Sequence, residues 1–399
     1  MPRYPKPSPT TESLSAGVFS ALTARAKAHP GPIFPLHVGD TWRDPWEGAR
    51  AENLTLAEYP LLHTYSPVQG EPRLLDVARR KAEARSGRVL DPETFCVVAG
   101  ATSGVSVVVQ TLLDPGDEVL LPAPFWPLVR GIIASRGAVP VQVPLWDRRS
   151  DPSFDVEAAL EAAVTPRTVA LYLNSPHNPT GGMLTDDEAA AFARVAKRHD
   201  LWVISDEVYE DLWFGDRAPP SLWAREDLFD RSIVVHSLSK AYGYAGGRVG
   251  YAHGPLEVMK AVRATQTFQV YCAPRPMQLG AAKVLELGDG WLAETRALYR
   301  DAAYATARAF GVAPPAGGTF QFVDVSRWLP ADAVDATPFL HRCLDECGVL
   351  LTPGASSGQD YGRWVRVCFT SVAPEVLHVA LGRIAAMLGT ASSTPATAS

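Results

Sequence analysis

The sequence predicts an α/β protein in which helices cover a mostly parallel sheet. Short apolar runs of strand type recur along the chain, and several are followed by a turn and then by apolar residues at helical spacing. These runs are nearly continuous in apolar character, which indicates strands buried on both faces. A length of 399 residues is too great for one small core and predicts two packed domains.

Composition narrows the class of function. Hydrophobic residues make up 47% of the chain and charged residues 20%, as in soluble globular proteins. A formal net charge of −6 gives no basic surface for nucleic acid. No apolar stretch is long enough to span a membrane, and the first residues lack the apolar core of a signal peptide. We therefore expect a cytoplasmic enzyme with no membrane partner.

The five cysteines are few, odd in number and scattered, which argues against a disulfide framework. No set of Cys and His residues has the spacing of a zinc site. We expect no metal and interpret the cysteines as small core residues.

The N-terminal part begins with a proline-rich arm and a helix predicted over residues 14–28. A short strand follows from Phe34 and is turned by Gly39 and Asp40. Pro72 then begins a helix, because proline suits the first helical turn and apolar residues follow it at helical spacing.

A strand, helix and strand unit begins at Phe95. Gly100, Ala101 and Thr102 lie where its helix begins, so backbone N–H groups and a hydroxyl can bind an anion with help from the helix dipole. Trp126 follows the next strand, at the sheet edge where ligands of such folds bind. Its ring could stack on a ligand there or lie instead in a subunit contact.

Two further buried strands end in polar side chains. The strand over residues 169–173 leads into a turn-rich stretch, NSPHNPTGG, that contains Asn178. A helix is predicted over residues 185–199, with a threonine N-cap and an acidic first turn. Asp206 and Tyr209 follow the next strand. A buried carboxylate there could keep a pyridine nitrogen protonated, or Asp206 could cap a helix.

An apolar run over residues 232–236 delivers Lys240 into a glycine-rich turn. Burial disfavours the ammonium form of such a lysine, so its amine can attack an aldehyde or carry a proton. Ser237, Ser239 and Arg248 surround the same turn and suit a phosphate group. A lysine beside a phosphate site indicates pyridoxal phosphate (PLP), with a lysine on a solvated loop as the alternative.

The C-terminal part contains helices predicted over residues 256–267 and 277–288. The loop between them holds Arg275, which we expect to pair at the surface rather than to reach a neighbouring active site. A long helix over residues 291–310 begins a smaller α/β domain, in which Arg366 lies within a strand. A buried arginine needs an anion, and its planar group fits either a ligand carboxylate or an internal ion pair.

Taken in order, these motifs resemble the fold-type I PLP-dependent enzymes, most closely the class I/II aminotransferases of the aspartate aminotransferase superfamily. The resemblance rests on Ser-x-Ser-Lys with an arginine eight positions on, on Gly-Ala-Thr, Asn-Pro-Thr-Gly and Asp-Glu-x-Tyr, and on Tyr65, Trp126 and Arg366. It implies a large domain with a mostly parallel seven-stranded sheet flanked by helices, plus a smaller α/β C-terminal domain.

The expected domain boundaries follow from this organisation. Residues 1–40 form an N-terminal arm and part of the small domain, residues 41–288 the large PLP-binding domain and residues 289–390 the small domain. Residues 391–399 are rich in small residues and are expected to be a disordered tail.

The resemblance also implies a role for each candidate residue. The catalytic set is Lys240, which forms a Schiff base with PLP, together with Asp206 at the pyridine nitrogen and Tyr209 at the phenolic oxygen. Asn178 contacts the same oxygen, and Trp126 stacks on the ring. The expected phosphate contacts are Gly100, Ala101, Thr102, Ser237, Ser239, Arg248 and, from the other subunit of a homodimer, Tyr65. The expected substrate contacts are Arg366 for the α-carboxylate, Gly39 and Asn178.

The implied activity is ping-pong transamination between an α-amino acid and a 2-oxo acid through the Lys240 Schiff base. A β-eliminating lyase of the cysteine-S-conjugate type or a decarboxylase is the alternative, because the fold does not determine which bond breaks. A non-catalytic PLP-sensing regulator is a third possibility, which would need a DNA-binding segment.

Substrate identity is left open by the sequence. Thr102 stands where a subgroup specific for dicarboxylates carries a lysine, which weakens an assignment to aspartate. The aromatic residues Trp42, Trp46, Tyr65 and Trp126 are compatible with an aromatic or large neutral amino donor.

Overall fold

A computed structural model describes residues 20–390 of the chain. The expected arm up to residue 19, the first part of the helix predicted over residues 14–28, and the expected tail over residues 391–399 lie outside the described residues.

The strands alternate with helices along most of the chain. In chain order the strands are β1 (Phe34–Pro35), β2 (Phe95–Val98), β3 (Glu118–Ala123), β4 (Val139–Pro144), β5 (Thr168–Asn174), β6 (Trp202–Asp206), β7 (Ser232–Ser237), β8 (Gly250–His253), β9 (Phe320–Asp324), β10 (Val349–Leu350), β11 (Thr352–Pro353) and β12 (Trp364–Cys368).

The helices predicted from Pro72 and over residues 185–199, 256–267, 277–288 and 291–310 are present, with ends shifted by at most two residues. The helices over residues 127–135 and 156–161 were not predicted. The α-helices of the described residues are numbered in chain order. They are α1 (Ser20–Lys27), α2 (Pro72–Ser86), α3 (Ala101–Leu112), α4 (Pro127–Ser135), α5 (Val156–Glu161), α6 (Asp186–Arg198), α7 (Leu256–Gln269), α8 (Arg275–Leu287), α9 (Asp289–Phe310), α10 (Thr337–Cys347) and α11 (Pro374–Leu388). Within residues 20–390, none of these helices combines the length and the apolar character needed to cross a bilayer.

The central sheet has seven strands in the order β2-β8-β7-β6-β5-β3-β4. β8 runs antiparallel to both of its neighbours, and the other neighbouring pairs are parallel. The prediction of a mostly parallel seven-stranded sheet is therefore confirmed.

Two smaller sheets hold the C-terminal strands. β11, β12 and β9 form an antiparallel sheet in that order, and β1 pairs in parallel with β10. The short strand β1 thus joins the segment before Gly39 to the C-terminal part of the chain.

Alternation of side chains places apolar residues on both faces of the central sheet, as buried parallel strands require. On one face, Ile204 of β6 and Ile233 of β7 pack in a core that includes Val105 and Val108 of α3. On the other, Val203 of β6 packs in a core with residues of α6, among them Phe192 and Val195.

Helix α6 shows how local sequence sets an element boundary. The Thr185 hydroxyl accepts a hydrogen bond from the backbone N–H of Glu188 at 3.2 Å, and the Glu188 carboxylate accepts one from the Thr185 backbone N–H at 2.7 Å. This reciprocal pair satisfies donors that the first turn leaves open. The predicted threonine N-cap is confirmed.

A buried network of charges links α2 to the segments that follow β6 and β7. Lys81 donates to Glu210 at 2.8 Å and also to Asp211. The Tyr242 hydroxyl donates to Asp211 at 2.9 Å, and a ring nitrogen of His236 lies 2.9 Å from Glu210. These five residues, here called the Lys81 network, hold the Lys240 turn against the end of β6.

Candidate active site

A cavity of about 300 Å³ lies at the carboxyl ends of the central strands. Of the candidate residues named from the sequence, those that line it are Gly39, Ala101, Thr102, Trp126, Asn178, Asp206, Tyr209, Ser237, Ser239, Lys240, Arg248 and Arg366. The structure therefore brings together side chains that are up to 327 positions apart in the chain, counted from Gly39 to Arg366.

Lys240 follows β7 and is enclosed by the cavity wall. Its amine donates a hydrogen bond to the backbone carbonyl of Gly39. Burial lowers the pKa of this amine from its ordinary value, and no carboxylate of the described residues lies within ion-pair distance of it. A lysine of this kind loses its proton more readily and can act as a nucleophile or a base.

Asp206 ends β6 and is 4% exposed. Burial raises the pKa of its carboxyl to about 6, although a hydrogen bond from Tyr172 acts in the opposite direction. The alternative reading of Asp206 as a helix N-cap is wrong, because residues 208–211 form a turn and no helix begins directly after Asp206.

Asn178, Tyr209 and Arg366 form one hydrogen-bonded group on the cavity wall. The amide nitrogen of Asn178 lies 3.4 Å from the Tyr209 hydroxyl, and its amide oxygen accepts from Arg366 at 3.1 Å. The two residues expected at the phenolic oxygen of PLP are thus adjacent, and Asn178 also contacts the arginine expected to bind substrate.

Arg366 is a buried cation whose guanidinium is only partly satisfied. Besides Asn178, it donates to the His37 carbonyl at 3.3 Å and lies 4.2 Å above the Phe320 ring. Its Nε has no hydrogen-bond partner, and no carboxylate among the described residues lies within 4 Å of it. The alternative of an internal ion pair is therefore wrong, and the group is open to an anionic ligand.

The N-terminus of α3 forms an anion cradle with Arg248. Ala101 and Thr102 begin the helix and line the cavity, where their backbone N–H groups have no acceptor in the preceding turn. Gly100 has φ +77, and a Cβ added to it would come within 2.4 Å of an Arg248 guanidinium nitrogen. Glycine is required here because a side chain would displace Arg248.

Ser237 and Ser239 complete this end of the cavity. The Ser237 hydroxyl accepts a hydrogen bond from the backbone N–H of Ser239 at 3.1 Å, which orders the turn before Lys240. Both side chains line the cavity. Hydroxyls, helix N–H groups and a guanidinium together form the donor set that a phosphate group needs.

The cavity lining does not include five residues considered for the site from the sequence, which are Trp42, Trp46, Tyr65, Gly100 and Arg275. Tyr65 is 78% exposed and packs edge-on against Tyr271, with ring centroids 4.9 Å apart. Arg275 donates to Glu71 at 2.7 Å and to the Leu61 carbonyl at 2.7 Å. The expectation that Arg275 pairs within its own surface is confirmed, whereas the expected role of Tyr65 in a second subunit stays a prediction.

Sequence reasoning missed three residues at the site. Tyr172 on β5 donates to the Asp206 carboxylate at 2.5 Å. The Asn174 amide donates to the Asp206 carbonyl at 2.7 Å and accepts from the Asn178 N–H at 2.8 Å. Phe320 packs beneath Arg366. The alternation of β5 did place Tyr172 and Asn174 on one face, and this was the available signal.

The cavity carries three cationic side chains, Lys240, Arg248 and Arg366, against one carboxylate, Asp206. This excess of positive charge suits a ligand with a phosphate group and a substrate with a carboxylate. The cradle at the start of α3, the Arg366 guanidinium without an ion-pair partner among the described residues, and the buried Asp206 fit the phosphate, the substrate carboxylate and the pyridine nitrogen respectively. The residues present therefore fit PLP.

Comparison with known proteins leads to a family that fits these cavity residues. The family model described as "Aminotransferase class I and II" matches residues 33–384. An arginine–pyruvate transaminase of Pseudomonas aeruginosa is 34% identical over 329 residues, which make up 80% of this chain and 81% of the relative. A probable N-succinyldiaminopimelate aminotransferase of Mycobacterium tuberculosis is 35% identical over 298 residues, 73% of this chain and 74% of the relative.

Solved aminotransferase structures have the same fold as this chain. An aspartate aminotransferase of Thermus thermophilus, a single mutant, superposes with a TM-score of 0.86 at 27% identity, covering 96% of this chain and 100% of that one. The N-succinyldiaminopimelate aminotransferase of Mycobacterium tuberculosis superposes with a TM-score of 0.85 at 30% identity, with coverage of 96% and 100%.

Proposed function

The chain belongs to the class I and II aminotransferases, whose members use PLP, and from this premise we propose that the cavity around Lys240 moves an amino group from an α-amino acid to a 2-oxo acid. The observation that carries the proposal is Arg366. This buried guanidinium lines the same cavity as Lys240, its Nε has no hydrogen-bond partner, and no carboxylate among the described residues lies within ion-pair distance of it.

Each group then has a defined task. Arg366 binds the α-carboxylate of the amino acid and so fixes its Cα near Lys240. Bound PLP supplies the electron-accepting ring that makes the proton on this Cα removable. The Lys240 amine takes that proton from Cα, because burial favours its neutral form.

Asp206 would hold a proton on the pyridine nitrogen, and Asn178 and Tyr209 would bind the phenolic oxygen. The α3 cradle with Arg248, Ser237 and Ser239 binds the phosphate. Trp126, which is half-buried at the cavity wall, stacks on the ring.

Assembly as a homodimer is part of the proposal. Tyr65 and Tyr271 form an exposed aromatic pair, and Phe268 nearby in the chain is 92% exposed. Exposed aromatic groups of this size favour a protein contact, and in a dimer Tyr65 would reach the phosphate in the other subunit. The domain boundaries at residues 40, 288 and 390 and the cytoplasmic location stay predictions.

A single-turnover experiment tests the proposed reaction. The PLP-loaded enzyme is mixed with a panel of amino acids in the absence of any oxo acid, and released products are quantified. We expect a suitable donor to yield one equivalent of its 2-oxo acid per site, and continuous turnover to begin when 2-oxoglutarate or pyruvate is added. Continuous release of ammonia and pyruvate without an acceptor would identify a β-eliminating lyase instead.

A further inference from the structure

Tyr172 and Asp206 lie on neighbouring strands of the central sheet. The register of β5 and β6 pairs Tyr172 with Ile204 and Asn174 with Asp206, so Tyr172 is the diagonal neighbour of Asp206 on the same face. The Tyr172 hydroxyl donates to the Asp206 carboxylate at 2.5 Å, and the two residues are 3% and 4% exposed.

The carboxylate of Asp206 has few other contacts. One of its oxygens accepts from the Val208 backbone N–H at 3.3 Å, a long bond. Among the described residues no cation lies within ion-pair distance of it. Tyr172 is therefore the side chain that fixes the orientation of this buried carboxylate.

We propose that Tyr172 is a positioning residue of the transamination reaction, which orients the Asp206 carboxylate toward the pyridine nitrogen and keeps that carboxylate a weak enough base to leave the proton on the nitrogen. The inference rests on the proposed role of Asp206 and adds a residue to it.

Proton affinity is the physical link between the two side chains. A phenol that donates to a carboxylate stabilises the ionised form, so its removal makes the carboxylate a stronger base. Burial and the neighbouring Asp206 raise the pKa of the Tyr172 hydroxyl well above its ordinary value, so this hydroxyl stays protonated and remains a donor. Without it, the proton shared by ring nitrogen and carboxylate moves toward the carboxylate.

A packing role alone would give a different result. The Tyr172 ring lies in the core between the sheet and the helices, with Ala170, Ile204 and Val235 in the same cluster. If Tyr172 acted only through this ring, phenylalanine would replace it without consequence for the cofactor.

The test compares Tyr172→Phe with wild-type holoenzyme loaded with PLP labelled with ¹⁵N in the pyridine ring. The nitrogen chemical shift reports directly whether the nitrogen carries a proton. At a fixed pH we expect the shift in Tyr172→Phe to move toward that of neutral pyridine. The dissociation constant for PLP and kcat should each worsen by about tenfold, the effect of losing one hydrogen bond to a charged group.

The control is Tyr251→Phe, on β8 of the same sheet. Tyr251 is also buried, but its hydroxyl has no hydrogen-bond partner among the described residues. The same atom is removed from the same type of environment, so the nitrogen shift, PLP affinity and kcat should all stay at wild-type values.

A second variant allows the same test if Tyr172→Phe folds poorly. Tyrosine fluorinated beside the hydroxyl, introduced at position 172, is a stronger donor of similar size. It should hold the nitrogen shift at the wild-type value or move it further from that of neutral pyridine, opposite to Tyr172→Phe.

The outcomes separate this inference from the proposed function. An unchanged nitrogen shift in Tyr172→Phe overturns the role of Tyr172, provided that Asp206→Asn does change it. An unchanged shift in Asp206→Asn removes the proposed role of Asp206 itself. Equal losses of PLP affinity and kcat in Tyr172→Phe and Tyr251→Phe would show that the effect comes from disturbed packing, which overturns the role of Tyr172.

Discussion

Two sets of charges lie around the ends of β6 and β7, one in the cavity and one in the Lys81 network, and they are paired in opposite ways. In the cavity, Lys240, Arg248 and Arg366 have no carboxylate within ion-pair distance among the described residues, and Asp206 has no cation. In the Lys81 network, Lys81 meets two carboxylates and Glu210 is also approached by Arg85 at 3.4 Å.

The pKa shifts follow the same division. Although burial acts in the opposite direction, the carboxylates of Asp211 and Glu210 raise the pKa of Lys81 well above its ordinary value, and Lys81 lowers the pKa of Glu210 well below its ordinary value. In the cavity burial dominates, and it lowers the pKa of Lys240 and raises that of Asp206. Charges that are paired internally stabilise the fold, whereas charges left unpaired are available for ligands.

Among the substitutions of the cavity charges, Lys240→Ala is expected to reduce activity most. We expect kcat to fall by about 10⁴-fold, the upper end of the range for loss of a positioned acid–base group. The protein should still bind PLP, but without a covalent link detectable by mass spectrometry after borohydride reduction. Lys260→Ala removes an exposed lysine that pairs with Glu257 and serves as the control. Turnover retained in Lys240→Ala would exclude this lysine as the catalyst.

Lys81→Met removes the cation of the Lys81 network and should mainly lower the stability of the fold. It leaves Asp211 and Glu210 buried with one cation fewer, at a cost of about 3 kcal/mol in the free energy of unfolding. Urea denaturation measures this cost, and kcat per folded molecule should change little. Lys260→Met removes the exposed ion pair with Glu257 and should leave the free energy of unfolding almost unchanged. Equal stability of Lys81→Met and Lys260→Met would contradict the division drawn here.

Asp206→Asn should lower activity and raise the stability of the apoenzyme. Loss of one electrostatic group at the reacting ring is expected to reduce kcat by about 10²-fold. The pKa of Asp206 rises from 3.8 to about 6 on folding, so the folded protein binds this proton more tightly than the unfolded chain. Wild-type stability therefore declines as pH rises through this window.

Asparagine has no such proton to lose. The variant should be more stable than wild type above pH 6, by up to about 3 kcal/mol, and should lose this advantage below pH 4. Thermal unfolding of the two apoenzymes across this range measures the difference. A constant difference at every pH would show that Asp206 does not titrate in this window.

Arg366→Leu should have the smallest of these effects. The Michaelis constant for the amino acid is expected to rise by about 30-fold through loss of hydrogen bonds to its carboxylate, with a smaller change in kcat. Because burial lowers the pKa of Arg366 and its Nε is unpaired, its removal should not destabilise the apoenzyme. Arg363→Leu is the control for the Michaelis constant, because Arg363 does not line the cavity and donates instead to Ser326 and to the Ala333 carbonyl. A stability loss in Arg366→Leu like that of Lys81→Met would place Arg366 among the paired charges.

The sequence predicted those parts of the molecule that depend on local order. Strand ends, the α6 cap and the turn that holds Lys240 could be read directly, because polar residues after buried strands of a parallel sheet meet at one edge. The contact between Tyr172 and Asp206 could not, since it depends on the register of two strands 34 positions apart.

Other misses have the same physical origin. Glu71 and Arg275 form their ion pair across 204 positions, and nothing in either local sequence specifies it. An Asp-Glu pair after a strand is compatible with a helix N-cap or with a turn, and only packing decides between them. The role expected for Tyr65 depends on a second subunit and stays a prediction.

The hydrogen bond between Lys240 and the Gly39 carbonyl joins segments built on different sheets. Lys240 follows the central sheet, whereas Gly39 follows β1, which pairs with β10, and Arg366 lies on β12. The groups expected to act on the cofactor, Lys240 and Asp206, therefore lie on a different sheet from Gly39 and Arg366, whereas Asn178 follows β5 of the central sheet and is expected to contact both cofactor and substrate. Mutations confined to the smaller sheets could change which acids are accepted during evolution while the chemistry at Lys240 and Asp206 is preserved.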